Sequence, residues 1–440
     1  VTPDPLTIGM CGHFDINSDL KLTHQVTGVV NDLTISDSSH IYRPSDVDLL
    51  LKTTPDTTYL RTQSGDFVIK LDASGNYEQL LNQFTILSDS AMAQLDRKTI
   101  DQPALRKLLP TMRMTLESQR ENPVATFLKA SADVDFKDML FDLSTSVAEG
   151  VNGRGYIHSL TVSDIRLDTI NFSLIQRKER LSFGGQVRNN KKNPQFVFNA
   201  LFDGILQERG ATLGVRYFDA DNKLGARIGA QAEVVDGGIN LRLMPDRPTL
   251  GYKEFALNKD NYVFLGSSGK IKAKVDLRAD DGMGIRLYSE ESDPDALQDL
   301  TLSLHKFNLE EITSVIPYAP RMSGMLNGDY HVIQDANGQF SVAGDMGVQN
   351  MTYERCPIGN ISTELVYLQK ENDAHAVEAR LMMDDNEIGL LTGTYYNEGE
   401  GSLDATLQLE HLPLNIVNGF VPDQLCGLQG YGEGTLTIKG

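Results

Sequence analysis

Strict alternation of apolar and polar residues is the sequence feature that most constrains how this chain folds. Lys270–Arg278 alternates without a fault, and Ser402–Glu410 does the same. Because successive side chains of a β-strand point to opposite faces, each run predicts a strand with one apolar face and one polar face. Turn-forming clusters, such as Asp236 to Gly238, separate the runs. The pattern therefore predicts an all-β protein built from an antiparallel sheet.

One segment has a helical pattern instead. Leu80, Leu81 and Phe84 recur at the spacing of one helix face, and Asp101 is followed by apolar residues up to Pro110. These signals predict a helical insert over residues 76–130.

A short helix that precedes a strand run occurs twice in the sequence. Asn308 has the spacing of an N-cap, with Glu311 placed to complete a capping box. Each copy places three apolar residues on one face before a proline and a Gly-x-x-x-Gly entry into a strand. The three apolar residues are Leu309, Ile312 and Ile316 in the first copy and Leu414, Val417 and Val421 in the second. The repeat predicts modules stacked along an axis.

These features predict five segments along the chain. They are a β segment at 1–75, the helical insert at 76–130, a second β segment at 131–307, a β module at 308–413 that begins with the short helix, and the start of a further module at 414–440.

Composition excludes several classes of protein. The 440 residues include 40 Lys and Arg against 60 Asp and Glu, so the formal net charge is −20. This charge repels phosphates, which disfavours nucleic-acid binding and docking on an anionic membrane surface. Three cysteines, Cys11, Cys356 and Cys426, do not make a disulfide framework. No apolar run reaches the about 18 residues of a membrane-spanning helix.

Catalytic and metal-binding patterns are weak. No hydrolase, zinc-protease, P-loop or dinucleotide motif is present, and no two histidines stand three or four residues apart. Cys11 and His13 share a strand face, which would suit a metal or thiolate site. Their position at the start of a predicted strand is the simpler explanation. Asp219 and Asp221 resemble a calcium loop that lacks its glutamate. We therefore predict a protein that is not an enzyme and that uses no cofactor or metal. The acidic doublets, read as solvated turns, are Asp280-Asp281, Glu290-Glu291 and Asp384-Asp385.

The apolar strand faces have two interpretations. They form the filled core of a sandwich, or they line an open groove that holds an apolar ligand. The groove interpretation predicts lipid contact by one set of residues on three strands. This set is Ala226, Ile228, Ala230, Ala232, Ile271, Ala273, Val275, Leu277, Leu403, Ala405, Leu407 and Leu409.

The segment Leu412–Asp423, followed by Leu428 and Gly430, resembles the module-start motif of the AsmA-like family, which includes TamB. The resemblance implies an elongated, twisted antiparallel sheet that forms a taco-like hydrophobic groove with a few short helices. It also implies a periplasmic conduit for phospholipid between the inner and outer membranes, in which acyl chains lie on the apolar face.

The resemblance further implies an inner-membrane helix before Val1, more β modules after Gly440 and an outer-membrane β-barrel partner bound through that later part. An alternative function is an assembly factor that offers a sheet edge to the strands of outer-membrane β-barrel proteins. A third is a β-sandwich ectodomain with an adhesive or structural role.

Overall fold

Antiparallel strands form most of the described chain, and the all-β prediction is confirmed. The computed structural model describes residues 7–36, 41–97, 101–207, 209–290, 296–354, 356–370, 374–396, 401–414 and 428–440. The chain divides into unit 1, residues 1–223, and unit 2, residues 224–440, which are described separately. The predicted division into five segments stays a prediction.

Unit 1 is an antiparallel ladder in which most strands pair with their neighbours in sequence. The ladder runs β1-β2-β4-β5-β6-β7-β9-β10-β11-β12-β13-β14, and two short strands, β3 and β8, pair with β2 and β10. The strands are β1 Thr7–Ser18, β2 His24–Ser36, β3 Ile41–Tyr42, β4 Val47–Thr53, β5 Thr57–Ser64, β6 Phe67–Ser74, β7 Met112–Ser118, β8 Val134–Asp135, β9 Asp138–Ser146, β10 Gly150–Val162, β11 Ile165–Arg177, β12 Arg180–Asn189, β13 Phe198–Gln207 and β14 Gly210–Phe218.

The predicted helical insert contains three helices and one strand. The helices are α1 Tyr77–Asp96, α2 Gln102–Lys107 and α3 Pro123–Ala132. Strand β7 lies between α2 and α3 and pairs with β6 and β9, so one strand of the sheet interrupts the predicted insert. Of the face predicted for α1, Leu80 is buried, whereas Leu81 and Phe84 are exposed. Leu80 packs against the sheet because α1 begins directly after β6, while the rest of the helix extends away from that contact.

Unit 2 is also an antiparallel ladder, apart from one parallel bridge between β19 and β21. Its one described helix is α4, Leu309–Thr313. The strands are β15 Leu224–Val235, β16 Gly238–Leu250, β17 Lys253–Leu257, β18 Tyr262–Gly266, β19 Ile271–Ala279, β20 Gly284–Ser289, β21 Gln298–Asn308, β22 Met322–Gln334, β23 Phe340–Tyr353, β24 Cys356–Gln369, β25 Ala374–Met383, β26 Asn386–Tyr396, β27 Ser402–Pro413 and β28 Tyr431–Lys439.

Strands β17 and β18 fill one position in the ladder, end to end between β16 and β19. Two asparagine side chains replace backbone ladder bonds at the break. Asn258 Oδ1 accepts a hydrogen bond from the backbone N–H of Asp276 at 2.9 Å, and Asn261 Oδ1 accepts one from Leu243 at 2.7 Å. The ladder therefore stays hydrogen-bonded across the interruption.

The N-cap of α4 is confirmed, because Asn308 Oδ1 accepts hydrogen bonds from the N–H groups of Glu310 and Glu311. The predicted capping role of Glu311 is not what the structure shows: its carboxylate lies 2.5 Å from Lys253 Nζ. Ile316 is exposed and Val315 is buried in its place, so the predicted apolar face was wrong at that position. In the second copy of the repeat, Val417 and Val421 lie outside the described residues.

The main buried cluster of unit 2 lies around β17 and β19. Phe255, Leu257, Val275, Leu277, Ala279 and Met283 form it, and half-buried side chains of β16, β20 and β21 pack against it.

Phe255 is fully buried in this cluster, so Phe255→Ala is expected to lower the free energy of unfolding by about 3–5 kcal/mol. Urea denaturation followed by circular dichroism measures the change. Phe127→Ala, in the exposed face of α3, is the matched control and should cost less than about 1 kcal/mol. Equal losses in the two variants would contradict the position of this core.

Candidate functional site

A continuous apolar row crosses the sheet of unit 2. Directly paired residues of antiparallel strands lie on the same sheet face, so the pairing register traces each face from strand to strand. From Val275 in β19 the register leads through one residue of each strand to Leu436 in β28. The row is Val275, Leu287, Leu302, Tyr330, Gly344, Leu365, Ala379, Leu391, Leu407 and Leu436. None of these residues is charged. We call the face that carries them the apolar face of unit 2.

The twelve predicted groove residues all lie on this face. Val275 and Leu407 belong to the row itself, and their strand neighbours at two-residue spacing share its side. The β15 residues join through β16 and β18, because Ala232 pairs with Leu241, Leu241 with Val263, and Val263 with Ala273. The register therefore brings together three strands that lie far apart in sequence.

Burial divides the twelve residues into two groups. Ala273, Val275 and Leu277 are 3%, 6% and 4% exposed, and Ala405 is also buried. The groove interpretation expected these side chains to be open, but at β19 Val275 and Leu277 pack among Phe255, Met283 and their neighbours. Leu403 is 38% exposed. The other seven, on β15, β19 and β27, are half-buried. Their contact with lipid stays a prediction.

Unit 1 carries an equivalent face that the sequence analysis did not assign to the site. The register from Ile16 in β1 to Leu213 in β14 passes through uncharged residues only: Ile16, Val26, Leu51, Leu60, Leu71, Met114, Leu143, Gly153, Leu174, Phe183, Gly204 and Leu213. Ile16 and Leu213 are exposed, and the others that carry side chains are half-buried. The signal that could have found this face is the alternation within runs such as Phe67–Ala73.

Aromatic rings lie flat over glycines on the apolar face of unit 1. A methyl group added to Gly28 would stand 2.4 Å from the Phe14 ring, and one added to Gly204 would stand 2.3 Å from the Phe183 ring. The rings therefore occupy the space that a side chain on the neighbouring strand would need. The face is therefore flatter at these positions, because the ring covers the glycine of the neighbouring strand instead of projecting from the sheet.

The opposite face of the strands is charged in each unit. In unit 1, Asp142 lies 3.2 Å from Arg113 and 3.8 Å from Arg154. In unit 2, Asp276 lies 2.8 Å from Arg278 and 3.8 Å from Arg286. These ion pairs link residues on the same strand or on adjacent strands and keep the charged groups in water.

Hydrogen bonds between oppositely charged side chains of unit 2 shift their pKa values. The contact with Lys274, at 2.5 Å, lowers the pKa of Asp260, and the same contact raises the pKa of Lys274. The carboxylate of Asp276 raises the pKa of Arg278. On the apolar face of unit 1, by contrast, burial raises the pKa of the Tyr217 phenol. The two faces thus present different electrostatic environments, one charged and solvated, the other uncharged and partly desolvated.

The remaining candidate residues lie in ordinary turns and strands. Asp219 Oδ1 accepts hydrogen bonds from the N–H groups of Asp221 and Lys223, which closes a turn between β14 and β15. Asp384 and Asp385 form the turn between β25 and β26 with positive φ angles. Within the described ranges, no group of three or more His, Cys, Asp or Glu residues is placed to hold a metal ion.

No protein-family model, curated protein or solved structure matches this chain. No helix in the described part of the chain is long and apolar enough to cross a bilayer. The arrangement that remains is a sheet whose apolar side is partly open and whose other side is charged. Such a surface can hold hydrocarbon without specific polar contacts.

Proposed function

We propose that this chain is a non-enzymatic conduit for phospholipid, in which acyl chains lie along the apolar faces of the two units. The observation that carries the proposal is the uncharged row in each unit, which passes from strand to strand without interruption and stays half-buried over most of its length. The resemblance to the AsmA-like family supports placing the conduit in the periplasm, tethered to the inner membrane, as part of outer-membrane biogenesis.

Hydrocarbon burial alone supplies enough free energy for this function. Each methylene removed from water contributes about 0.8 kcal/mol, so ten buried methylenes contribute about 8 kcal/mol. A chain held in this way has no single tight site and moves between equivalent positions along a uniform row. A continuous row of aliphatic side chains therefore suits transport better than a closed pocket does.

Adjacent residues on opposite faces provide the test. Leu174 lies on the apolar face of unit 1, and its neighbour Ser173 is exposed on the charged face. A photo-crosslinking amino acid at position 174 is expected to capture phospholipid acyl chains in cells, whereas the same group at position 173 should not. Mass spectrometry of the purified adducts measures both. Equal capture at the two positions, or none at 174, would contradict the proposal.

A further inference from the structure

The two strand-end rims of the apolar face in unit 2 differ in chemistry. At one end of strands β21 to β26, the outermost residues on this face are polar or aromatic, and we call them the polar row: Gln298, Gln334, Phe340, Gln369, His375 and Tyr395. Toward the other end of β21 to β25 the residues on this face are hydrophobic, and we call them the hydrophobic row: Phe307, Leu326, Val348, Ile361 and Met383. Every rung between the two rows is uncharged.

Side-chain contacts connect the members of the polar row. Gln298 Nε2 donates a hydrogen bond to Gln334 Oε1 at 2.9 Å, and Gln369 Oε1 accepts one from the backbone N–H of Phe340. Rings then continue the row across neighbouring strands. The His375 imidazole stacks on Tyr367 at 5.9 Å between centroids and lies 6.0 Å from Tyr395. The row is therefore a built feature and not a set of isolated polar residues.

Two hydrogen-bond donors of the row are not used in these contacts. The Tyr367 hydroxyl is bonded to His375 Nδ1. When Nδ1 accepts a hydrogen bond from that hydroxyl, the neutral imidazole carries its proton on Nε2, and this N–H can donate to another group. Tyr395 is 41% exposed, and its hydroxyl has no hydrogen-bond partner among the described residues. Both groups fit ligand oxygens that only accept hydrogen bonds.

We propose that the polar row binds the ester and phosphodiester oxygens of a phospholipid, and that the acyl chains run along the strands toward the hydrophobic row. This inference rests on the proposed function. Tyrosine and similar amphipathic rings favour the boundary between hydrocarbon and water. From Gln369 to Ile361, β24 spans about 27 Å at about 3.4 Å per residue. One bilayer leaflet contributes about 15 Å of hydrocarbon, so the chains fit within the width of the face.

Two photoreactive phospholipids test this orientation. The full chain is loaded from vesicles of phosphatidylethanolamine and phosphatidylglycerol that contain a lipid with a diazirine either on its headgroup or at the end of an acyl chain. Peptide mapping then locates the adducts. The headgroup probe is expected to label the peptides around Gln369, His375 and Tyr395, and the acyl-end probe those between the middle of the face and the hydrophobic row, from Leu365 to Ile361 in β24.

A variant pair tests the role of the donors. Combining His375→Phe with Tyr395→Phe should lower headgroup labelling at the polar row by about three- to tenfold, the effect of losing one or two neutral hydrogen bonds. Gln408→Leu, on the charged face, is the matched control and should leave the labelling unchanged. Acyl-end labelling should persist in all these proteins.

The outcomes separate this inference from the proposed function. If both probes label both rims of the wild-type protein equally, or if the pattern is reversed, the orientation is wrong while lipid binding stands. If neither probe labels the apolar face at all, the conduit itself is wrong.

Discussion

Leu407→Arg is expected to stop lipid passage while the protein stays folded. Leu407 is half-buried on the apolar face of unit 2, paired with Leu391 on one side and Leu436 on the other. Leu436 is 56% exposed, so an arginine at position 407 can extend past it and keep its guanidinium in water. We expect a loss of stability of about 1–2 kcal/mol. The charge nevertheless interrupts a row that is otherwise uncharged, and acyl chains would have to pass it.

The adjacent residue supplies the control. Gln408 is exposed on the opposite face, so Gln408→Arg changes the charge by the same amount without touching the row. Transfer of fluorescent phospholipid between two vesicle populations measures function, and thermal melting measures folding. The Leu407 variant should transfer lipid at the rate without protein, and the Gln408 variant at the wild-type rate. Undiminished transfer by the Leu407 variant would remove the physical basis of the proposal.

Ala273→Arg is expected to unfold unit 2, although it lies on the same face as Leu407. Ala273 is 3% exposed, and it pairs with Val263 in β18 next to the buried cluster around Phe255. An arginine there would bury an unpaired charge and overfill a packed site, which together cost more than about 4 kcal/mol. Loss of the cooperative melting transition of unit 2 is the expected result.

Ala220→Arg is the matched control for that variant. Ala220 lies in the exposed turn between β14 and β15, where an arginine remains in water. Its melting temperature should stay within a few degrees of wild type. If Ala273→Arg melted in the same range as this control, the apolar face would be open at β19, and the burial assigned to that strand would be incorrect.

The contrast between these variants shows where sequence reasoning stops. The alternation in β15, β19 and β27 is equally regular, and it predicted their apolar faces correctly. It did not distinguish Ala273 from Leu407, because exposure depends on what packs above a residue and not on its own strand. Phe255, Met283 and Phe307 pack with Val275 and Leu277 of β19, and Val263, which pairs with Ala273, packs against the same cluster; these four residues come from other strands and turns.

Two further features could not be predicted from the sequence, for related reasons. Strand β7 lies between two helical segments, and its place between β6 and β9 is decided by long-range pairing that local periodicity does not report. The polar row joins residues of β21 to β26, and only the register places Gln298, Gln369 and Tyr395 at the same rim. A shift of one residue in any of these strands would turn its members to the charged face.

The sequence by itself determined the all-β fold, the amphipathic character of the strands and the cap of α4, because each of these depends on residues within a few positions of one another. The tertiary structure alone decided which strands join their apolar sides into one face, which parts of that face are covered and which rim is polar. These properties depend on pairing between distant segments, where the hydrophobic driving force is not directional and only the hydrogen-bonded register fixes the neighbours.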